Sequence, residues 1–205
     1  MSIVKLNNRS VKDVTSFGSV GSGAITFIKK ITADQDSTIS FVDGSSSVVL
    51  DNTYKQYLFT FKNIHAQSDT VHFQINFSTD SGSNYNVAKT TTNFQAAHTE
   101  SDSEAVIGYQ GSLDGAQTTG GVAISNSLSN DNDGSTSGYL YLYNPSDTTF
   151  VKHYHATFNN TQYQDYSTNY YVAGYGNTAS AIDAVQFLMS SGNIDAGDIC
   201  LYGIN

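Results

Sequence analysis

The chain has 205 residues and a formal net charge of −9, with 39% hydrophobic and only 13% charged residues. This length allows a substantial core in one domain, and 14 tyrosines and 11 phenylalanines argue against disorder. The acidic balance argues against nucleic-acid binding by the body, and no apolar run approaches the roughly 20 residues of a membrane span. A lone cysteine, Cys200, excludes a disulfide framework and a cysteine-based metal site.

Residues 1–23 predict an extended N-terminal docking arm that precedes a body of residues 24–205. Residues 1–30 hold five bases and one acid, a net charge of +4, whereas the rest holds four bases and seventeen acids, a net charge of −13. A basic end on an acidic body is typical of a chain that docks by that end; the alternative is that the bases only solubilise it. The arm's predicted contact residues are Ile3, Lys5, Leu6, Arg9, Lys12, Val14 and Phe17. The start also lacks the apolar core of a secretory signal, so we expect synthesis in a cytoplasm and, for any exit, a route other than a signal peptide.

From residue 24 onward, short strands alternate with turns, which predicts an all-β, antiparallel β-sandwich with a jelly-roll-like body. The first predicted strands are 24–31, 37–42, 54–64, 71–78 and 85–94. In the third strand, Tyr57 and Phe61 share one face and Ile64 lies on the other. Residues 95–121 are polar and predict a surface excursion, with one apolar cluster at 105–109.

The clearest element is a β-hairpin between residues 138 and 155. Tyr139, Tyr141 and Tyr143 alternate with two leucines, which predicts a strand with two different faces. Pro145, the only proline, presets a turn, and alternation resumes after it. Further strands are predicted at 122–128, 157–164 and 169–175. Residues 181–189 fit a helix face or a strand; we favour a strand that forms a final hairpin with 198–204.

The tyrosines of this hairpin and of the following strands exceed what one small core needs. Large aromatic side chains are enriched in protein–protein interfaces. We therefore expect Tyr139, Tyr141 and Tyr143 to lie in an interface. For about half of the tyrosines in the hairpin and the following strands, burial inside the sandwich is the alternative.

The candidates for catalytic and metal-binding chemistry are weak. His153 and His155 project to one face of a strand, but a metal site needs a third ligand, and exposed histidines are the simpler interpretation. Asp131 and Asp133 are weak candidates for a calcium loop, because Ser129 and Leu140 occupy positions that an EF-hand fills with Asp and Glu. We expect no metal and no cofactor.

Glu100 and Glu104 are the only glutamates and would be the acid pair of a glycoside hydrolase. Both fall in the polar segment, and the chain has no tryptophan to line a sugar cleft. The nucleophile and phosphate-loop motifs are also missing. We therefore expect a protein that is not an enzyme.

Several segments resemble one family along nearly the whole chain. They are KLNNRSVKDVTSFGSV (5–20), DNTYKQYLFTFKNI (51–64), STDSGSNY (78–85), YLYNPSDTTFVKHYHA (141–156) and MSSGNIDAGDICLYGIN (189–205). Together they resemble small β-rich virion structural proteins of marine tailed bacteriophages. The resemblance implies a location in the virion, assembly in the host cytoplasm and no catalytic residues.

Two functions follow as expectations. The first is an outer capsid decoration (cement) protein that binds the major capsid protein, other virion proteins or neighbouring copies. It would be a homo-oligomer, with a trimer favoured. The second is a tail-fibre or adhesin domain that binds host-surface glycans through loops 95–121 and 129–138. A glycan-processing enzyme would need Glu100 and Glu104 in one cleft.

Overall fold

The computed structural model describes residues 24–205, and the predicted arm, residues 1–23, lies outside them. The described part is all-β, as the alternation predicts, and has twelve strands. In chain order they are β1 (Ile25–Asp36), β2 (Thr38–Val42), β3 (Gln56–Ala66), β4 (Val71–Ser78), β5 (Lys89–Thr99), β6 (Ala105–Tyr109), β7 (Val122–Leu128), β8 (Thr136–Tyr143), β9 (Lys152–Thr161), β10 (Tyr166–Gly176), β11 (Ala184–Met189) and β12 (Ile194–Ile204).

The strands form two antiparallel sheets that pack face to face as a β-sandwich. The eight-stranded sheet has the order β1-β12-β3-β8-β9-β10-β5-β6, and the four-stranded sheet has the order β2-β11-β4-β7. β1 pairs with β12, β2 with β11, β3 with β8 and β4 with β7, so these strands nest from the ends of the body inward. Nested strand pairs that belong alternately to two sheets are the topology of a jelly roll. The remaining strands, β9, β10, β5 and β6, extend the larger sheet beyond β8.

The core lies between the sheets and is dominated by aromatic rings. Phe61 of β3 and Phe187 of β11 approach edge to face, with ring centroids 5.0 Å apart. Phe73 of β4 stacks on Phe187 at 5.8 Å, and Phe158 of β9 lies 4.9 Å from Phe61. All four rings are buried. Rings in these geometries add about 0.5–1.5 kcal/mol a pair beyond the burial of their area.

The prediction that Ile64 lies opposite Phe61 is wrong, because β3 contains a bulge. Asn63 has a φ of 49°, and the register with β8 shifts between Phe61 and Ile64. The Asn63 backbone N–H donates to Ser137 Oγ at 2.9 Å. The extra residue of the bulge moves the side chains that follow it to the opposite face of the strand. Ile64 is therefore buried in the core on the same side as Phe61.

The predicted hairpin between 181–189 and 198–204 is also wrong, although both segments are strands. β11 pairs with β2 and β4 in the smaller sheet, whereas β12 pairs with β1 and β3 in the larger one. The chain therefore crosses from one layer to the other between Met189 and Ile194. Phe187 and Leu201 are both buried, each from its own sheet.

The prediction of a surface excursion at 95–121 is wrong for its first half. β5 runs to Thr99, and β6 pairs with it from His98–Ala105 to Phe94–Tyr109. The hairpin at 138–155 is confirmed, since β8 pairs with β9. Leu140 and Leu142 are buried in the core. Tyr139, Tyr141 and Tyr143 alternate with them and therefore lie on the outer side of the sheet.

Candidate interaction surface

Antiparallel register gathers aromatic side chains on the outer side of the extended sheet. One row across five strands reads Tyr139, Thr157, Tyr171, Phe94 and Tyr109. Residues two positions away on each strand share this side. We call the resulting surface the outer aromatic face; its members are Phe94, Ile107, Tyr109, Tyr139, Tyr141, Tyr143, His153, His155, Tyr171 and Tyr175.

Contacts between neighbouring rings order this face. Phe94 and Tyr171 stack with centroids 4.8 Å apart and planes 13° apart. Tyr141 lies 5.2 Å from the His155 ring. Tyr143 Oη and His155 Nδ1 share a hydrogen bond of 3.0 Å. Side chains that are already held by their neighbours lose little rotamer freedom when a partner binds.

The face is exposed and carries little charge. Ile107 is 79% exposed, Tyr109 58%, Phe94 44% and Tyr139 42%. The chain has no lysine or arginine between Lys89 and Lys152 or after Lys152, and both of these are buried, so the strands of this face contribute no exposed lysine or arginine. Single exposed apolar residues are ordinary, whereas contiguous exposed apolar patches are typical of binding surfaces, which makes this face the candidate interaction surface.

A shallow furrow of about 390 Å³ crosses the face between aromatic ridges. Tyr143, His153 and Tyr175 line it, together with Thr90 and Ala173. The small side chain of Ala173 lies two residues from both Tyr171 and Tyr175, and this difference in size creates the depression.

The predicted tyrosines and histidines are brought together, but not as a metal site. His153 and His155 lie on the same side of β9, as their spacing predicts, and His155 bonds to Tyr143. Among residues 24–205, no three His, Cys, Asp or Glu side chains are grouped so that they could hold a metal ion.

Asp131 and Asp133 belong to a loop that is closed by its own hydrogen bonds. Ser129 Oγ donates to Asp131 Oδ2 at 2.7 Å, and the Gly134 backbone N–H donates to the Asp131 carbonyl at 2.8 Å. His65 Nε2 lies 3.0 Å from the same carbonyl oxygen. The loop thus uses Asp131 as a turn residue, while Asp133 is exposed to solvent.

Glu100 and Glu104 both lie in the exposed turn between β5 and β6. Glu104 Oε2 accepts a hydrogen bond of 2.5 Å from the Tyr166 hydroxyl. That bond raises the pKa of Tyr166, because the neutral phenol is the donor. The Glu100 backbone N–H donates to the Asp165 carbonyl at 2.9 Å. The turn is therefore held by hydrogen bonds at the surface, and neither glutamate is in a cleft.

The sequence pattern did not indicate that Lys89 and Lys152 are buried close to each other. Lys89 and Lys152 flank Gly176 in one row on the inner side of the sheet. Lys89 Nζ donates to Asn76 Oδ1 at 2.6 Å and to the Val87 carbonyl at 2.8 Å. Burial lowers the pKa of Lys89 to about 8. Alternation along β9 places Lys152 on the same side as buried Tyr154. It does not indicate which carbonyl oxygens accept hydrogen bonds from the buried ammonium group.

Comparisons of the chain with protein-family models, with curated proteins and with solved structures give no match. Residues 24–205 include no helix long and apolar enough to cross a membrane. A functional assignment therefore depends on the outer aromatic face, on the winding of the sheets and on the sequence.

Proposed function

We propose that the chain is a structural protein of a tailed-phage virion, an outer capsid decoration protein. It binds the major capsid protein, other virion proteins or neighbouring copies through the outer aromatic face and the N-terminal arm. The observation that carries the proposal is that this face is exposed, aromatic and almost without charge.

The composition of the face supports binding to protein. Interface centres are enriched in aromatic residues and depleted of charged ones. Five adjacent strands spaced about 4.8 Å apart make a face about 20 Å wide, which is enough for a patch of several hundred Å². Jelly rolls are common in virion proteins but also in lectins, so the fold supports the proposal without deciding it. The resemblance of the sequence to marine phage virion proteins favours the virion.

Tyr171 offers a test of this proposal with a closely matched control. Tyr171 is 38% exposed on the outer aromatic face, and Tyr163 is 40% exposed in the turn between β9 and β10. We expect Tyr171→Ser to weaken binding of the full chain to undecorated capsid shells by at least about tenfold, because central aromatic side chains dominate interface energies. Co-sedimentation with shells measures the binding.

Tyr163→Ser should leave this binding unchanged. Circular dichroism and thermal melting of both variants establish that they are folded. If Tyr171→Ser binds shells as well as the unchanged chain does, the outer aromatic face is not the surface that meets the capsid.

The furrow favours a second candidate function, a tail-fibre or adhesin domain that binds host-surface glycans. Tyr175 and His153 meet at a ring distance of 6.0 Å beside the hydroxyl of Thr90, so ring faces and polar groups border one depression. Sugars bind on such combinations of stacking surface and hydrogen-bonding groups. Retention of the full chain on host cells, lost in Tyr175→Ala, is the expected result. No retention across a range of salt and Ca²⁺ concentrations would contradict this candidate.

A further inference from the structure

β6 ends the eight-stranded sheet and leaves one backbone edge open. The Gln110 backbone N–H donates to the Asn93 carbonyl, and the Thr99 N–H donates to the Glu104 carbonyl, which fixes the alternation of bonds between β5 and β6. In an antiparallel ladder, hydrogen-bonded and non-bonded pairs alternate. Ala105, Ile107 and Tyr109 therefore turn their N–H and C=O groups away from β5. Within residues 24–205, these groups make no hydrogen bond.

This edge lacks the usual protection against an added strand. β6 carries no charge, proline or bulge, and Ile107 is 79% exposed. β1, at the opposite edge of the same sheet, is bulged between Phe27 and Lys29 and carries four charged residues. Proteins blunt free edges with charges and bulges, so an unprotected edge with apolar side chains is suited to accept a strand.

The surroundings of β6 are acidic. Glu100, Asp102 and Glu104 lie in the turn before it, and Asp114 accepts a hydrogen bond from Tyr109 after it. Lys89 and Lys152 are the only lysines or arginines in the strands that follow β8 across the described sheet, and both are buried; His98 Nε2 lies 3.0 Å from Asp102 Oδ1. Antiparallel pairing of β6 with β6 of another copy would bring the acidic turn of each copy beside the segment that carries Asp114 of the other, so acids would face acids. A basic extended segment fits this edge better.

We infer that the edge of β6 binds the N-terminal segment of a second copy, residues 1–17, as an added strand. This segment holds three bases, Lys5, Arg9 and Lys12, against one acid, and it supplies apolar side chains. The segment leads into β1, which is seven strand spacings from β6, about 34 Å away. A segment at one edge that binds the opposite edge of the next copy makes a head-to-tail contact, which gives a ring when the rotation between copies closes and an open filament when it does not. The inference rests on that part of the proposed function in which the N-terminal arm binds neighbouring copies, and it names the edge of β6 as the binding site of the arm.

One test removes the backbone donor at the edge. Ile107→Pro deletes an N–H that faces away from β5, so pairing of β6 within the sheet is kept. Ile107→Thr loses the same apolar side chain and keeps the donor. In sedimentation of the full chain, we expect Ile107→Pro to weaken self-association by at least about tenfold more than Ile107→Thr does. Equal self-association of the two variants would overturn the inference.

A second test exchanges charges between copies. One variant carries Lys5→Glu, Arg9→Glu and Lys12→Glu, and the other carries Glu100→Lys, Asp102→Lys and Glu104→Lys. Each alone should remain monomeric, because like charges then meet at the edge. An equimolar mixture should associate, since each arm now finds a complementary edge on the other variant. A mixture that stays monomeric overturns the inference, whereas loss of capsid binding by a chain that still self-associates contradicts only the proposed function.

Discussion

At the scale of single residues, the least expected groups are the two ammonium groups in the interior. Lys89 and Lys152 are both fully buried, and the described contacts of their Nζ atoms are with carbonyl and amide oxygens rather than carboxylates. Lys152 Nζ donates to the carbonyls of Phe150 and Thr178 at 2.6 and 3.2 Å, which ties the loop before β9 to the loop after β10. The lysines thus bind loop carbonyls at the end of the extended sheet.

The lowered pKa of Lys89 predicts a dependence of stability on pH. Its pKa is about 8 in the folded protein against an ordinary value of 10.5. Between these values the unfolded chain binds a proton that the folded chain does not, so stability rises with pH. We expect the free energy of unfolding to increase by about 1–2 kcal/mol from pH 7.5 to 9.5, as measured by urea denaturation.

Lys89→Met should remove most of this increase, while Lys55→Met, at an exposed lysine, should retain it; burial also lowers the pKa of Lys152, which contributes in the same direction. The comparison ends at pH 9.5 because burial raises the pKa values of Tyr57, Tyr154 and Tyr170. Above about pH 10, ionisation of these tyrosines in the unfolded chain lowers stability. An unchanged increase in Lys89→Met would show that another group titrates in this range.

At the scale of elements, alternation predicted most strands and which face of each is buried. It succeeded where a strand is regular, as in β4, whose bounds agree with the prediction of 71–78. It failed at Asn63, because a bulge there depends on a hydrogen bond to Ser137, which lies far away in the sequence. It also failed to separate β11 from β12, since alternation shows that a strand has an inner face but not which sheet it joins.

The candidate surface was predicted in part for the same reason. The period of Tyr139, Tyr141 and Tyr143 places them on one face, and the structure confirms that they share it. Phe94 and Ile107 join that face only through pairing of β5 with β10 and β6, which brings distant segments together. Composition made residues 95–121 look like a loop, because the polar turn between β5 and β6 dominates the pattern there.

At the scale of the whole molecule, charge is distributed unevenly across the larger sheet. The exposed bases Lys30 and Lys62 lie on β1 and β3, and Lys55 immediately precedes β3, whereas the turns beside β6 carry only acids. β1 also carries Asp34 and Asp36, and Lys30 pairs with Asp198, so the charges at the β1 edge balance, whereas the acids beside β6 have no lysine or arginine near them in the sequence. This asymmetry favours head-to-tail association over pairing of identical edges, and such association closes into rings when the rotation between copies allows.

The number of copies in a virion separates the two proposed functions. A decoration protein occupies every equivalent site of the shell, so we expect its molar ratio to the major capsid protein to be a simple fixed fraction. A tail-fibre domain is restricted to the tail, where the ratio should be at least about tenfold lower, because a tail has one symmetry axis and the shell has many equivalent positions. Quantitative mass spectrometry of purified virions measures this ratio. A low ratio would contradict decoration and leave the furrow, with Tyr143, His153 and Tyr175, as the surface to test against host glycans.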